Sequence, residues 1–267
     1  MNENVIRSLS GLVYILILIS ATLFSRESFL ILFGLFMLQT VNEFASLVKL
    51  PKLLAIIAST IIFINFSVFT TSVFIDYAVA VVSVLTLILL TVWLFAKHQK
   101  QFQQSNWATL TGYIVFSFVC ITKLPIVKSD FIPSIIIGIF ILIWTNDTFA
   151  YLVGKSLGKN KLFERISPKK TIEGFIGGMF FAILAGVIIS QYYVTSHSFM
   201  VWMIIAVIVS IFGTIGDLVE SKFKRLANVK DSGNIMPGHG GVYDRLDSII
   251  FVAPFVFLLF KILEYVS

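Results

Sequence analysis

Residues 230–248 read KDSGNIMPGHGGVYDRLDS, a polar stretch set between long apolar runs. It gathers Asp231, Asp244 and Asp247, the basic residues Lys230 and Arg245, His239, and a glycine-rich turn that includes Gly240 and Gly241. Mg²⁺ in phosphate-handling sites is held by one or two carboxylates together with substrate phosphate oxygens. Lysine and arginine complete the neutralisation of a polyphosphate, and glycine lets backbone amides come close to an anion. Just upstream, GDLVESKFKR contributes Asp217, Ser221 and Lys224 at i, i+4 and i+7, one face of a helix, with Arg225 beside them. Asp244 and Asp247, three apart, share a face of the next helix. The competing reading pairs these aspartates with Lys230 and Arg245 as interfacial anchors. His239 is flanked by glycines, which suits a hydrogen bond to substrate or to the loop better than a general base.

A second polar segment carries Asp147 and Tyr151 at the end of an apolar run, then Ser167-Pro-Lys169-Lys170-Thr171. Its expected structure is a helix start, with Ser167 as N-cap and Pro168 at the first helical position, where the helix terminus and two lysines attract anions. Lysines that only set membrane topology explain the same pattern equally well. Gly154-Lys-Ser-Leu-Gly158-Lys lacks the spacing of a phosphate-binding P-loop. Glu43, inside an apolar run, is an ionisable group at bilayer depth; it either faces an interior cavity or snorkels toward Lys49. His98 and His197 fall in plain connections.

The elements that must position these groups are membrane helices. The chain is 58% hydrophobic and only 13% charged, with a mean hydropathy of +0.96; soluble domains carry about 25% charged residues. Nine apolar runs approach the length of about 20 residues that spans a bilayer: roughly 9–24, 28–48, 53–72, 75–96, 107–122, 131–150, 172–194, 199–219 and 248–266. The first has no small-residue cleavage site after it and reads as a membrane helix rather than a secretory signal. The expectation is an all-α polytopic protein of about nine transmembrane helices, forming a single membrane-embedded domain. Residues 1–140 are its apolar scaffold and 141–267 its catalytic half, with polar loops at 151–171 and 220–247.

Basic residues are unevenly divided between the two sides. Arg7, Lys49, Lys52, Lys97, Lys100, Lys155, Lys159, Lys161, Arg165, Lys169, Lys170, Lys222, Lys224, Arg225, Lys230 and Arg245 fall on one side, against Arg26, Lys123, Lys128 and Lys261 on the other. The positive-inside rule puts the N-terminus and both long loops in the cytoplasm of a cell membrane. The net charge of +6 is then largely topological, which removes nucleic acid as an expected partner. The lone Cys120 forms no internal disulfide and reads as a small buried hydrophobe.

Ser221 to Asp247, SKFKRLANVKDSGNIMPGHGGVYDRLD, resembles the signature of the phosphatidate cytidylyltransferases, with Met236 a conservative departure. Asp147-Thr-x-Ala-Tyr151 and Ser167-Pro-Lys-Lys-Thr-x-Glu-Gly174 are similar to upstream blocks of that family, although Phe149 stands where a glycine is common. The first 140 residues match only as apolar spans. The resemblance implies transfer of CMP from CTP to phosphatidate, giving CDP-diacylglycerol and pyrophosphate, with Mg²⁺ as cofactor; it leaves open whether a monovalent cation assists. It implies Asp217 and Asp244 as metal ligands, with Asp247 and Asp147 next. Lys224, Arg225, Lys230 and Arg245 would meet the triphosphate or phosphatidate, and Ser167, Lys169, Lys170 and Thr171 the CTP phosphates. Tyr151, Ser221, Asp231, Gly240 and Gly241 belong to the same implied substrate site. A homodimer is expected by analogy alone. A CDP-alcohol phosphotransferase is excluded, because no D-G-x-x-A-R precedes Gly241, Asp244 and Asp247. A cation-coupled transporter using Asp217, Asp244 and Glu43 is the alternative outside enzymes.

Overall fold

The computed structural model describes residues 3–69, 72–96, 105–238 and 240–266. Lys97, His98, Lys100 and His239 therefore lie outside the described residues. The chain is an all-α polytopic membrane protein built from α1 (Glu3–Phe24), α2 (Arg26–Leu47), α3 (Lys52–Phe63), α4 (Val73–Phe95), α5 (Asn106–Thr109), α6 (Phe116–Lys123), α7 (Pro133–Leu157), α8 (Ile172–Tyr192), α9 (Phe199–Leu226) and α10 (Tyr243–Val266). Two small antiparallel hairpins interrupt them, β1 (Ile126–Val127) with β2 (Asp130–Phe131), and β3 (Lys161–Phe163) with β4 (Ser167–Thr171). Each expected span overlaps a helix among the described residues. Among the described residues, six helices are long and apolar enough to cross a membrane, and Ser8–Phe24 and Lys52–Val68 are shorter apolar helices. The fifth expected span is broken: α5 and α6 are joined through a π-helical stretch, Leu110–Val115, and α3 continues into another, Ile64–Val68.

Three local expectations are corrected. Residues 220–226 and 243–247 are not loop, since α9 runs on to Leu226 and α10 begins at Tyr243. Residues 151–157 are not loop, since α7 runs on to Leu157 and carries Tyr151 and Gly154 on helix. Ser167 does not cap α8; it lies in β4, paired with Phe163. The cap is Thr171, whose hydroxyl accepts from the Gly174 amide at 3.2 Å. Pro168 has no amide to give a ladder, which a two-stranded hairpin tolerates at its edge. Thr171 followed by Glu173 in the first turn satisfies the helix start instead.

In lipid, helices gain little from burying apolar surface against one another, so close packing and small residues carry the association. Helix α8 shows this in its sequence: Gly174, Gly178, Ala182 and Gly186 recur every fourth residue, and all four are buried. A Cβ on Gly174 would lie 2.6 Å from the Ala150 carbonyl oxygen, and one on Gly186 would lie 2.9 Å from that of Trp202. The stripe lets α7 and α9 close onto α8. It draws Asp147 on α7, the β4 lysines before α8 and Asp217 on α9 to one end of the bundle. The N-terminal helices pack in part through aromatic rings, such as Tyr14 of α1 on Phe36 of α2 at 5.9 Å and Phe44 of α2 on Phe223 of α9 at 5.1 Å.

Candidate active site

The polar ends of α7, α9 and α10, together with β4, enclose a cavity of about 530 Å³. Asp147, Tyr151, Lys169, Lys170, Thr171, Asp217, Lys224, Asp231, Asp244, Arg245 and Asp247 all line it. The two polar segments thus share one wall-to-wall site, though more than 60 positions separate Thr171 from Arg245. The other expected residues stand apart from the cavity lining. Ser167 is in the hairpin ladder. Ser221 donates to Asp217 Oδ1 at 3.3 Å, one turn behind it. Arg225 is exposed and donates to the Val229 carbonyl at 3.3 Å, closing the end of α9. Lys230 is exposed on the loop that follows.

The carboxylates divide into two groups. Asp217, Glu220 and Asp247 each offer an oxygen within 4.8 Å of the others, a spacing suited to one shared cation. Glu220 is 1% exposed, and its Oε1 has no hydrogen-bond partner among the described residues. Like charges at this separation repel by about 3 to 4 kcal/mol per pair at an effective dielectric near 20. The available lysines offset only part of this: Lys170 pairs with Asp217 and Lys224 with Glu220, the latter at 2.7 Å. Among the described residues no lysine or arginine forms an ion pair with Asp247, whose Oδ1 accepts only from the neighbouring Ser248 amide, at 2.7 Å. A three-carboxylate, all-oxygen set with one orphaned oxygen fits a hard divalent cation such as Mg²⁺.

Asp244 is differently employed. Its Oδ1 pairs with Lys224 Nζ at 2.6 Å, and its Oδ2 accepts from the Ser232 amide at 2.8 Å and the Gly241 amide at 2.7 Å. The Gly241 amide, expected to face a bound anion, is therefore directed at a protein carboxylate. Gly240 adopts φ +83°, and a Cβ there would meet Asp244 Oδ2 at 2.5 Å, so only glycine fits. The turn is closed by the Met236 amide donating to the Gly240 carbonyl at 3.0 Å.

Two residues escaped sequence reasoning. Glu220 carried a readable signal, since it shares the face of Asp217 and Lys224 at i+3 and i−4. Tyr14 carried none, being one tyrosine inside an apolar helix. It is 8% exposed, its hydroxyl has no partner among the described residues, and it lines a recess of about 250 Å³ beside the main cavity. Gly11 and Ile15 of α1 and Phe140, Ile143 and Trp144 of α7 form the apolar side of that recess. Asp147, Asp244, Arg245 and Asp247 border both spaces. Tyr14 also borders an apolar groove of about 350 Å³ between α1, Phe36 and Ile235–Pro237.

Residues 5–263 match the sequence profile of the cytidylyltransferase family. A phosphatidate cytidylyltransferase of Bacillus subtilis (strain 168) is 41% identical over 174 residues, 65% of this chain and 64% of that protein. One of Staphylococcus aureus (strain COL) is 52% identical over 122 residues, 45% of this chain and 46% of that protein. One of Staphylococcus haemolyticus (strain JCSC1435) is 38% identical over 176 residues, 66% of each. These matches span less than two thirds of the length of the Bacillus and S. aureus relatives.

Proposed function

The chain belongs to the cytidylyltransferase family, and from that premise we propose that it transfers CMP from CTP to phosphatidate, producing CDP-diacylglycerol and pyrophosphate. A phosphatidate oxygen attacks the α-phosphorus of CTP; a new P–O bond forms as the bond to the β-phosphate oxygen breaks, and pyrophosphate leaves with its electron pair. The attacking oxygen is already anionic near neutral pH, so positioning and charge neutralisation matter more than a strong base.

The observation that carries this reading is the junction of two unlike spaces. One is a polar cavity lined by lysines and carboxylates together, and the second is a recess that shares Tyr14 and Met236 with an apolar groove. Arg245, Asp147 and Asp247 stand where they meet. CTP would occupy the cavity, with Lys169, Lys170 and Lys224 toward its phosphates. Lys170, paired with Asp217 in this structure, can turn to a phosphate oxygen over a short arc. Phosphatidate would place its phosphate at Arg245, its glycerol region beside Tyr14 and its acyl chains along α1. The surplus of basic residues on the loops supports a cytoplasmic orientation for the cavity.

Asp217, Glu220 and Asp247 would hold Mg²⁺. When bound there, the ion supplies positive charge to the phosphate oxygens on which charge accumulates. Asp244 supports this set by keeping Lys224 and the 231–242 loop in place. The transporter alternative loses one of its three acids, because Glu43 is buried among donors rather than open to a pathway.

The test is a reconstitution. Full-length protein in lipid nanodiscs, given Mg²⁺, phosphatidate and labelled CTP, should form labelled CDP-diacylglycerol and equimolar pyrophosphate. Folded protein that forms neither product across a range of divalent ions would overturn the proposal.

A further inference from the structure

Glu43 lies near the end of α2, far in sequence from the cavity, and is 3% exposed. It does not snorkel: among the described residues no lysine or arginine forms an ion pair with it. Donors converge on its two oxygens instead. Gln39 Nε2 reaches Oε1 at 2.8 Å, the Val242 amide reaches Oε1 at 3.1 Å and the Tyr243 amide reaches Oε2 at 2.8 Å. A carboxylate is an acceptor only, so it can satisfy all three at once, as an amide side chain cannot.

The two amides open α10, where backbone N–H groups have no partner within the helix and where negative charge is favoured. The fit around the carboxylate is close. A Cβ on Gly233 would lie 2.7 Å from Oε1, and one on Gly241 would run into Oε2. Ser232 Oγ stands 3.0 Å from Glu43 Oε2 and 2.8 Å from Asp244 Oδ2. Its single proton serves one carboxylate at a time and ties both to the same loop. Phe44, the next residue, packs edge-on against Phe223 of α9 and Tyr243 of α10. The end of α2 is therefore seated on the two helices that carry the acidic cluster, and Ser10 of α1 adds a hydrogen bond to the Pro237 carbonyl at 3.0 Å.

We infer that Glu43 is a positioning residue, a carboxylate from the N-terminal half that clamps the 231–242 loop and sets where α10 begins, and thereby where Asp244 and Asp247 stand in the cavity. It acts through other groups, since it borders none of the three spaces described above. Asp244 and Asp247 occupy the first two turns of α10, so a small shift at Tyr243 reaches both. The assignment of an effect on turnover rests on the cytidylyltransferase reading, whereas the clamp itself does not.

The experiment compares the parent, Glu43→Gln and Ser232→Ala, each as the full chain in nanodiscs, by kinetics, thermal unfolding and hydrogen-exchange mass spectrometry. Glu43→Gln should lower kcat about 30-fold or more, because displacements near 1 Å at reacting groups cost on this scale. Its KM for CTP should stay within about threefold, separating lost positioning from lost binding. Exchange across 231–243 should quicken roughly tenfold or more, with α7 and α8 unchanged. A kcat within about threefold of the parent, or a loss that disappears once rates are normalised to folded protein, overturns the inference. If Glu43→Gln fails to fold, Ser232→Ala decides: faster loop exchange with reduced kcat supports the clamp, and parent-like values of both overturn it. A parent that makes no CDP-diacylglycerol refutes the proposed reaction, and the exchange comparison still judges the clamp.

Discussion

Helices α1 to α6 and helices α7 to α10 meet their neighbours in different ways. In the first group many contacts are rings and branched side chains, as where Tyr14 of α1 meets Phe36 of α2 and Phe66 meets Phe116 of α6. Such packing tolerates exchange of one apolar side chain for another of similar volume. In the second group many contacts bring specific atoms together: glycines that admit a facing backbone, a lysine, Lys224, that bridges two carboxylates, amides aimed at Asp244. There a change of one atom alters charge or geometry. Glu43 and Tyr14 are where the first group reaches the polar residues of the second.

The largest expected effect tests the acidic cluster. Asp247→Asn should reduce turnover by about 100-fold or more while leaving the thermal midpoint without Mg²⁺ unchanged or higher, since it removes a repelling charge. A steady-state assay with Mg²⁺ titration, alongside metal-free unfolding, checks both parts. Asp244→Asn should match it in lost activity but differ in stability. Lys224 and the Gly241 and Ser232 amides lose their charged acceptor, and breaking a buried pair costs a few kcal/mol, about 3 at the lower end of measured cases. Equal midpoints for the two variants would erase the distinction drawn between these aspartates.

Smaller effects should come from the other half. Tyr14→Phe should raise KM for phosphatidate about 3- to 10-fold, the scale of one hydrogen bond near 1 kcal/mol, with KM for CTP unaltered. A rise in the CTP value instead would move Tyr14 out of the lipid recess. Phe33→Leu, at a fully buried ring, should cost about 1 kcal/mol of stability and leave kcat within about twofold. A larger loss of turnover would show that α2 transmits more than the position of Glu43.

Much of this could be read beforehand because it depends on short-range chemistry. Apolar runs long enough to leave no backbone group unpaired in lipid must be helices, and each expected span overlaps helix, the fifth being broken by a π-helical stretch. Asp217 and Lys224 belong together on any continuous helix, as do Asp244 and Asp247. The failures also have local causes. Ser167 has the composition of a cap, yet pairing of β4 with β3 offered its backbone another partner, and Thr171 took the role. Tyr151 seemed to follow the end of a span because the helix outlasts its apolar part by two turns.

By itself the sequence determined the membrane class, the helical segments, the supply of charge and glycine for phosphate chemistry, and the spacing of acids along each helix. Only the tertiary structure decided which acids meet. Asp217, Glu220 and Asp247 lie on two helices whose approach depends on packing across the bundle, while Asp244 turns to Lys224 and the loop. Glu43 could not be assigned from its neighbours in the chain, since its partners at Val242 and Tyr243 are some 200 residues away. Helical periodicity tells a side chain's direction along its own axis; the rotation and depth at which helices dock set what it faces.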